Sequence, residues 1–135
     1  IIAINKDFQT SLVAGIAAGI IAALTTKFPG GQIPNIIDKI TAAIFVYFLM
    51  RLLENLPRDI KMGLVGLLGT IVSGGVFLGS AAIIAGLPGT FLALFVGVVL
   101  PTAISNIFVC AFLYRLVTSS IKKVSPALLE QIQTQ

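Results

Sequence analysis

Hydrophobic positions in this chain run in long blocks, with the polar residues gathered between them. The longest block, Met62 to Tyr114, holds no charged side chain over 53 residues, whereas one bilayer crossing needs about 20. It is therefore read as two membrane spans, about 62–87 and 90–118, with Leu87-Pro88-Gly89 supplying the turn. A first span is expected over about 8–26. A second, about 36–53, has only Ile40 to Met50 between charges, so Lys39 and Arg51 must snorkel from its two ends. Pro101 falls inside the fourth span and predicts a kink there. The segment 119–135 is polar and reads as a tail, with Ser125-Pro126 capping a short surface helix from Ala127 to Ile132.

Composition agrees with the pattern. Hydrophobic residues make up 57% of the chain and charged ones 10%, with a mean hydropathy of +1.06; ordinary soluble domains carry about 25% charged residues. The fold class expected is an all-α membrane protein, with no soluble domain. The chain opens at Ile1 without a basic region ahead of an apolar stretch. It is read as a four-helix piece of a five- to six-helix bundle beginning inside a longer protein, not as a signal peptide. With four crossings, Lys6, Arg51, Arg58, Lys61, Arg115, Lys122 and Lys123 share one side, and Lys27 and Lys39 the other. The richer side is expected to be cytoplasmic, with both ends of the chain.

The chemistry is sparse. There is no histidine, and Cys110 is the single cysteine. This excludes disulfides within the chain, histidine metal sites and histidine acid–base catalysis. No acid pair or Ser–Lys pair falls at one depth, so no enzyme is expected. No cofactor and no nucleic-acid partner are expected either. Lys27-Phe28-Pro29-Gly30-Gly31 lacks the spacing of a phosphate loop. Asp7, Asp38, Glu54, Asp59 and Glu130 are placed at span ends or outside, leaving no midplane acid to couple an ion. Small residues recur at helix-packing intervals: Gly15 and Gly19, Gly75 and Gly79, and the row Gly63, Gly66 and Gly69. They serve either packing within the chain or docking of a separate membrane subunit.

One segment stands apart. Leu24 to Lys39, LTTKFPGGQIPNIIDK, concentrates prolines, glycines, lysines, amides and an aspartate in an otherwise apolar chain. Polar groups at the mouth of an apolar bundle suit a small polar ligand. Asn35 followed by Asp38 also reads as a helix N-cap with an acid in the first turn. Lys27 and Lys39 read as interface anchors. Asn106, deep in the fourth span, is expected to make an interhelical hydrogen bond.

The run Gly19-Ile20-Ile21-Ala22-Ala23-Leu24-Thr25-Thr26-Lys27-Phe28-Pro29-Gly30-Gly31-Gln32-Ile33-Pro34-Asn35-Ile36-Ile37-Asp38-Lys39 resembles the signature region of the TrpP family, bacterial tryptophan transport proteins. Gly69-Thr70-Ile71-Val72-Ser73-Gly74, Gly86-Leu87-Pro88-Gly89 and Val99-Leu100-Pro101 follow in the same order as in that family. The resemblance extends to about Thr118. Family members are similar to the substrate-binding S components of energy-coupling factor importers. The resemblance therefore implies a multi-pass protein of the bacterial cell membrane that takes up tryptophan, with a transmembrane coupling subunit and cytoplasmic ATPases as partners. The chain departs from the pattern in lacking the N-terminal helices. A tryptophan site needs an acceptor for the ammonium, donors for the carboxylate, and flat apolar walls. On that implication Asp38 accepts the ammonium. Gln32, Asn35, Thr25, Thr26 and the backbone amides of Gly30 and Gly31 serve the carboxylate, and Phe28 and Phe91 flank the indole. A stand-alone secondary carrier and a non-catalytic structural subunit are the alternatives.

Overall fold

The structure is a computed structural model that describes Ile2 and residues 7–124. Its elements are α1 (Phe8–Thr25), α2 (Gln32–Leu52), α3 (Arg58–Ile84), the single turn α4 (Phe91–Leu94), a π-helical turn (Phe95–Val99) and α5 (Leu100–Val124). Four helical stretches are long and apolar enough to cross a membrane, the last running unbroken from Phe91 to Ile121. Among the described residues there is no strand.

Helix ends follow from local chemistry. Asp7 caps α1 by accepting the Thr10 N–H at 2.8 Å and the Thr10 hydroxyl at 3.0 Å. These donors hold its carboxyl below the usual carboxylate range. The helix α2 starts at Gln32, four residues ahead of the expected Ile36, with Gly31 at the N-cap. Pro34 permits this, because a proline in the first turn lacks only an N–H that would have no partner there. Asn35 is consequently inside the helix and is not its cap, and Asp38 lies beyond the first turn. At the start of α3, Pro57 takes the N-cap position and Asp59 sits favourably in the first turn. Gly86 ends it with φ +80°, its N–H reaching the Ala81 carbonyl at 2.9 Å.

Pro101 acts, but not as a simple kink. The turn ahead of it widens, and the Leu100 N–H bonds the Phe95 carbonyl, five residues back. Widening relieves the crowding that a proline ring imposes on the preceding turn. Beyond Thr118 the helix continues to Val124, six residues into the stretch expected as tail. The expected surface helix from Ala127 to Ile132 lies outside the described residues.

The long helices pack in chain order: α1 on α2, α2 on α3, α3 on α5. Between the described residues of α1 and α5 there is no contact. Glycines set these seams. A Cβ at Gly15 would stand 2.6 Å from the Ala43 Cβ, and one at Gly19 would stand 3.1 Å from the Ile36 Cα. A Cβ at Gly66 would stand 2.2 Å from the Asn106 carbonyl oxygen. Most of the small-residue rows are thus spent on packing within the chain; Gly79 faces open space. Large apolar side chains exposed on α1 and α5, such as Ile21, Leu24, Phe108 and Phe112, belong on a surface bathed in lipid.

Candidate functional site

The row α2–α3–α5 leaves a cavity of about 440 Å³, within the range of roughly 300–1,000 Å³ common for small-molecule sites. One helix face of α3 supplies Thr70, Ser73, Gly74, Phe77 and Leu78, spaced i, i+3, i+4, i+7 and i+8. The fourth span supplies Leu94, Val98, Val99 and Thr102, and α2 supplies Asn35, Asp38 and Lys39. Phe28 and Pro88 enter from the two loops at one end.

The wall is mostly apolar, which makes its charges conspicuous. Asp38 is 2% exposed. Its Oδ2 accepts from the Lys39 ammonium, and its Oδ1 has no hydrogen-bond partner among the described residues. A buried carboxylate oxygen left this way is costly, and such atoms call for a ligand or solvent explanation. Asn35 spends one amide hydrogen on the Gly31 carbonyl at 2.7 Å, doubling the bond that its own backbone N–H makes to the same oxygen at 3.0 Å. The aromatic wall is Phe28 edge-on to Phe77, with ring centroids 5.4 Å apart at 80°. Deeper in, the Thr70 hydroxyl donates to the Gly66 carbonyl at 2.6 Å and accepts from Asn106 Nδ2 at 2.7 Å. Asn106 is therefore an interhelical tie, as its position in the sequence predicts. The Ser73 side chain makes no hydrogen bond among the described residues, so its hydroxyl is available to the cavity.

The loops at this end are built to meet. Gly30 has φ +71°, and a Cβ there would lie 2.6 Å from the Ala85 Cβ, so only glycine fits both the backbone and the contact. Lys27, Phe28, Pro29 and residues 85–88 enclose a second hollow of about 510 Å³, which shares Phe28 and Pro88 with the first.

The nine expected site residues divide as follows. Phe28, Asn35 and Asp38 line the larger cavity. Thr25 is exposed and donates to the Ile21 carbonyl at 2.8 Å. Thr26 turns the chain, its hydroxyl oxygen accepting the Phe28 N–H at 3.2 Å. Gly30 and Gly31 shape the loop and the α2 N-cap, and Gln32 is exposed at the first position of that helix. Phe91 is 43% exposed and stacks on Phe95, 5.8 Å away, outside the cavity wall. Sequence reasoning passed over Lys39 as a wall residue and the whole α3 face. The α3 signal was present: Thr70, Ser73 and Phe77 form a polar–aromatic stripe at helical spacing within a charge-free span.

The family model described as "Tryptophan transporter TrpP" matches residues 1–122. A protein of Clostridium acetobutylicum named "Probable tryptophan transport protein" is 46% identical over 92% of this chain and 73% of its own length. Proteins of the same printed name from Clostridium perfringens and Bacillus subtilis are 43% and 46% identical, over 93% and 87% of this chain and 74% and 68% of their own lengths. No solved structure matches.

Proposed function

Because this chain belongs to the TrpP family of tryptophan transporters, we propose that the cavity among α2, α3 and α5 is where tryptophan binds on its way across the bacterial membrane. The observation that carries this reading is Asp38: a carboxylate 2% exposed, with one oxygen unpaired among the described residues, in the wall of a cavity that Phe28 and Phe77 also line. A ligand ammonium supplies the missing donor to Oδ1, and the indole packs against the aromatic end. Asn35 stands within the same wall. Thr25, Thr26, Gly30, Gly31 and Gln32 act on the approach, by shaping the loop through which the ligand enters, and Phe91 acts at the outer rim.

For energy, the S-component reading assigns ATP hydrolysis to cytoplasmic partners acting through a transmembrane coupling subunit. The absence of a phosphate loop from the sequence supports it. Orientation follows from the excess of basic residues, which puts the loop end outside and the chain ends in the cytoplasm. One observation favours a secondary carrier instead. Asp38 was expected at a span end, yet it lies about 9 Å along α2 and is buried, the kind of acid an ion-coupled carrier uses.

Two measurements test the reading. Binding is read with radiolabelled tryptophan, so that the protein's own fluorescence does not enter. The full-length protein in detergent should bind tryptophan saturably. Replacing Asp38 with Asn should weaken binding by about 2–3 kcal/mol, or roughly 30–150-fold. Unaltered affinity in Asp38→Asn removes this cavity as the site. Vesicles holding the protein alone, given a proton gradient, separate the energy sources: uphill uptake there rejects the S-component role and leaves the carrier.

A further inference from the structure

Among the described residues, Asp38 and Lys39 are the only charged ones in the cavity wall, so this wall is net neutral but strongly dipolar. Adjacent residues on a helix do not ordinarily face one another. Here Lys39 is packed at its base against α1, its Cβ 3.5 Å from where a Gly19 Cβ would stand, and its ammonium reaches round to Asp38. The result is a half-satisfied pair. Asp38 keeps one vacant acceptor oxygen. Lys39, with its side chain 35% exposed, uses one of the three donors of its ammonium on Asp38, and that ammonium makes no other hydrogen bond among the described residues. One vacant acceptor beside spare donors is the complement of an α-amino acid headgroup, which carries donors on its ammonium and acceptors on its carboxylate.

We propose that Lys39 is the carboxylate-binding half of a two-residue zwitterion site. The Asp38–Lys39 contact opens on binding, Asp38 taking the ligand ammonium and Lys39 the ligand carboxylate. This deepens the reading of the cavity as the tryptophan site and rests on it. Its consequence is selectivity for a net-neutral headgroup. A ligand carrying one charge alone brings a net charge into a low-dielectric wall and leaves one protein charge without a ligand partner. Indole compounds with only an amine or only an acid are therefore excluded, whatever the fit of the ring.

The test titrates full-length protein in detergent with tryptophan, tryptamine and indole-3-propionate. The wild-type protein should bind each single-charge analogue at least roughly 10-fold more weakly than tryptophan. Lys39→Gln should weaken tryptophan at least 10-fold and bind tryptamine as tightly as wild type or more tightly, because the cation then neutralises Asp38 alone; Lys39→Arg should recover most of the tryptophan affinity. Equal binding of tryptamine and tryptophan by the wild-type protein overturns the proposal, and this arm needs no variant to fold. Lys39→Gln that binds tryptophan normally also overturns it while leaving the cavity reading intact. Wild-type protein that binds no tryptophan defeats the cavity reading itself.

Discussion

Replacing Gly66 with alanine tests the most constrained contact in the fold. The added Cβ would stand 2.2 Å from the Asn106 carbonyl oxygen, 2.8 Å from its carbonyl carbon and 3.1 Å from the Cys110 Cβ. Two of these atoms are backbone, so no side-chain rotation relieves the clash. Restoring ordinary contact requires α3 and α5 to separate by about 1 Å at this turn. That displacement stretches the Asn106 Nδ2 to Thr70 Oγ1 bond from 2.7 Å past the limit of a hydrogen bond. Overpacking of this kind costs about 1–3 kcal/mol, and an interhelical hydrogen bond in a membrane protein averages about 0.6 kcal/mol. Against these stands a gain of about 0.5–1 kcal/mol from removing a helical glycine. The net expectation is a destabilisation of about 1–3 kcal/mol, together with weaker ligand binding because Thr70 lines the cavity. Reversible denaturant unfolding in micelles measures the first, with Gly79→Ala as the control. Nothing lies within 4 Å of a Cβ at Gly79, so that variant should be neutral or stabilised by up to about 1 kcal/mol. Equal stability of Gly66→Ala and wild type would refute the close approach of α3 and α5.

Three further outcomes are expected. Gly30→Ala should destabilise by about 1–3 kcal/mol, from its positive φ and the Ala85 contact; a melting curve identical to wild type rules out docking of the two loops. In a Cys110→Ala background, a cysteine at Gln32 should react with an impermeant thiol reagent on intact cells, and one at Asn55 only after permeabilisation; the reverse pattern inverts the proposed orientation. The Asp7 cap should be fully formed above about pH 4, the ordinary carboxyl value, and lost as pH falls through the lower folded-state value. Amide protection at Thr10 reports this, and protection already lost near pH 6 contradicts it.

Local patterning along the chain was enough to reveal the membrane class, four helices long and apolar enough to cross, and the Gly/Pro loops that separate the first from the second and the third from the fourth. These are sums over local hydropathy and turn chemistry, and neighbours in the chain suffice to set them. It also placed Asn106 in an interhelical bond, because a lone amide in a charge-free span has few other partners. The start of α2 was misplaced because Pro34 reads as a break, although a proline is harmless in a first turn. Which helix faces turn inward came from packing between helices alone. In this chain the lipid-facing and core-facing sides are equally apolar, so the 3.6-residue contrast that reveals a soluble helix's inner face is largely erased. The structure therefore had to assign Phe77 and Ser73 to the cavity and Phe91 to its own stack on Phe95. It likewise decided the state of Asp38. Adjacent acid and base on a helix read as separate surface groups, whereas here they pair beside a cavity, with α1 packed at Gly15 against the Lys39 carbonyl and at Gly19 against its Cβ.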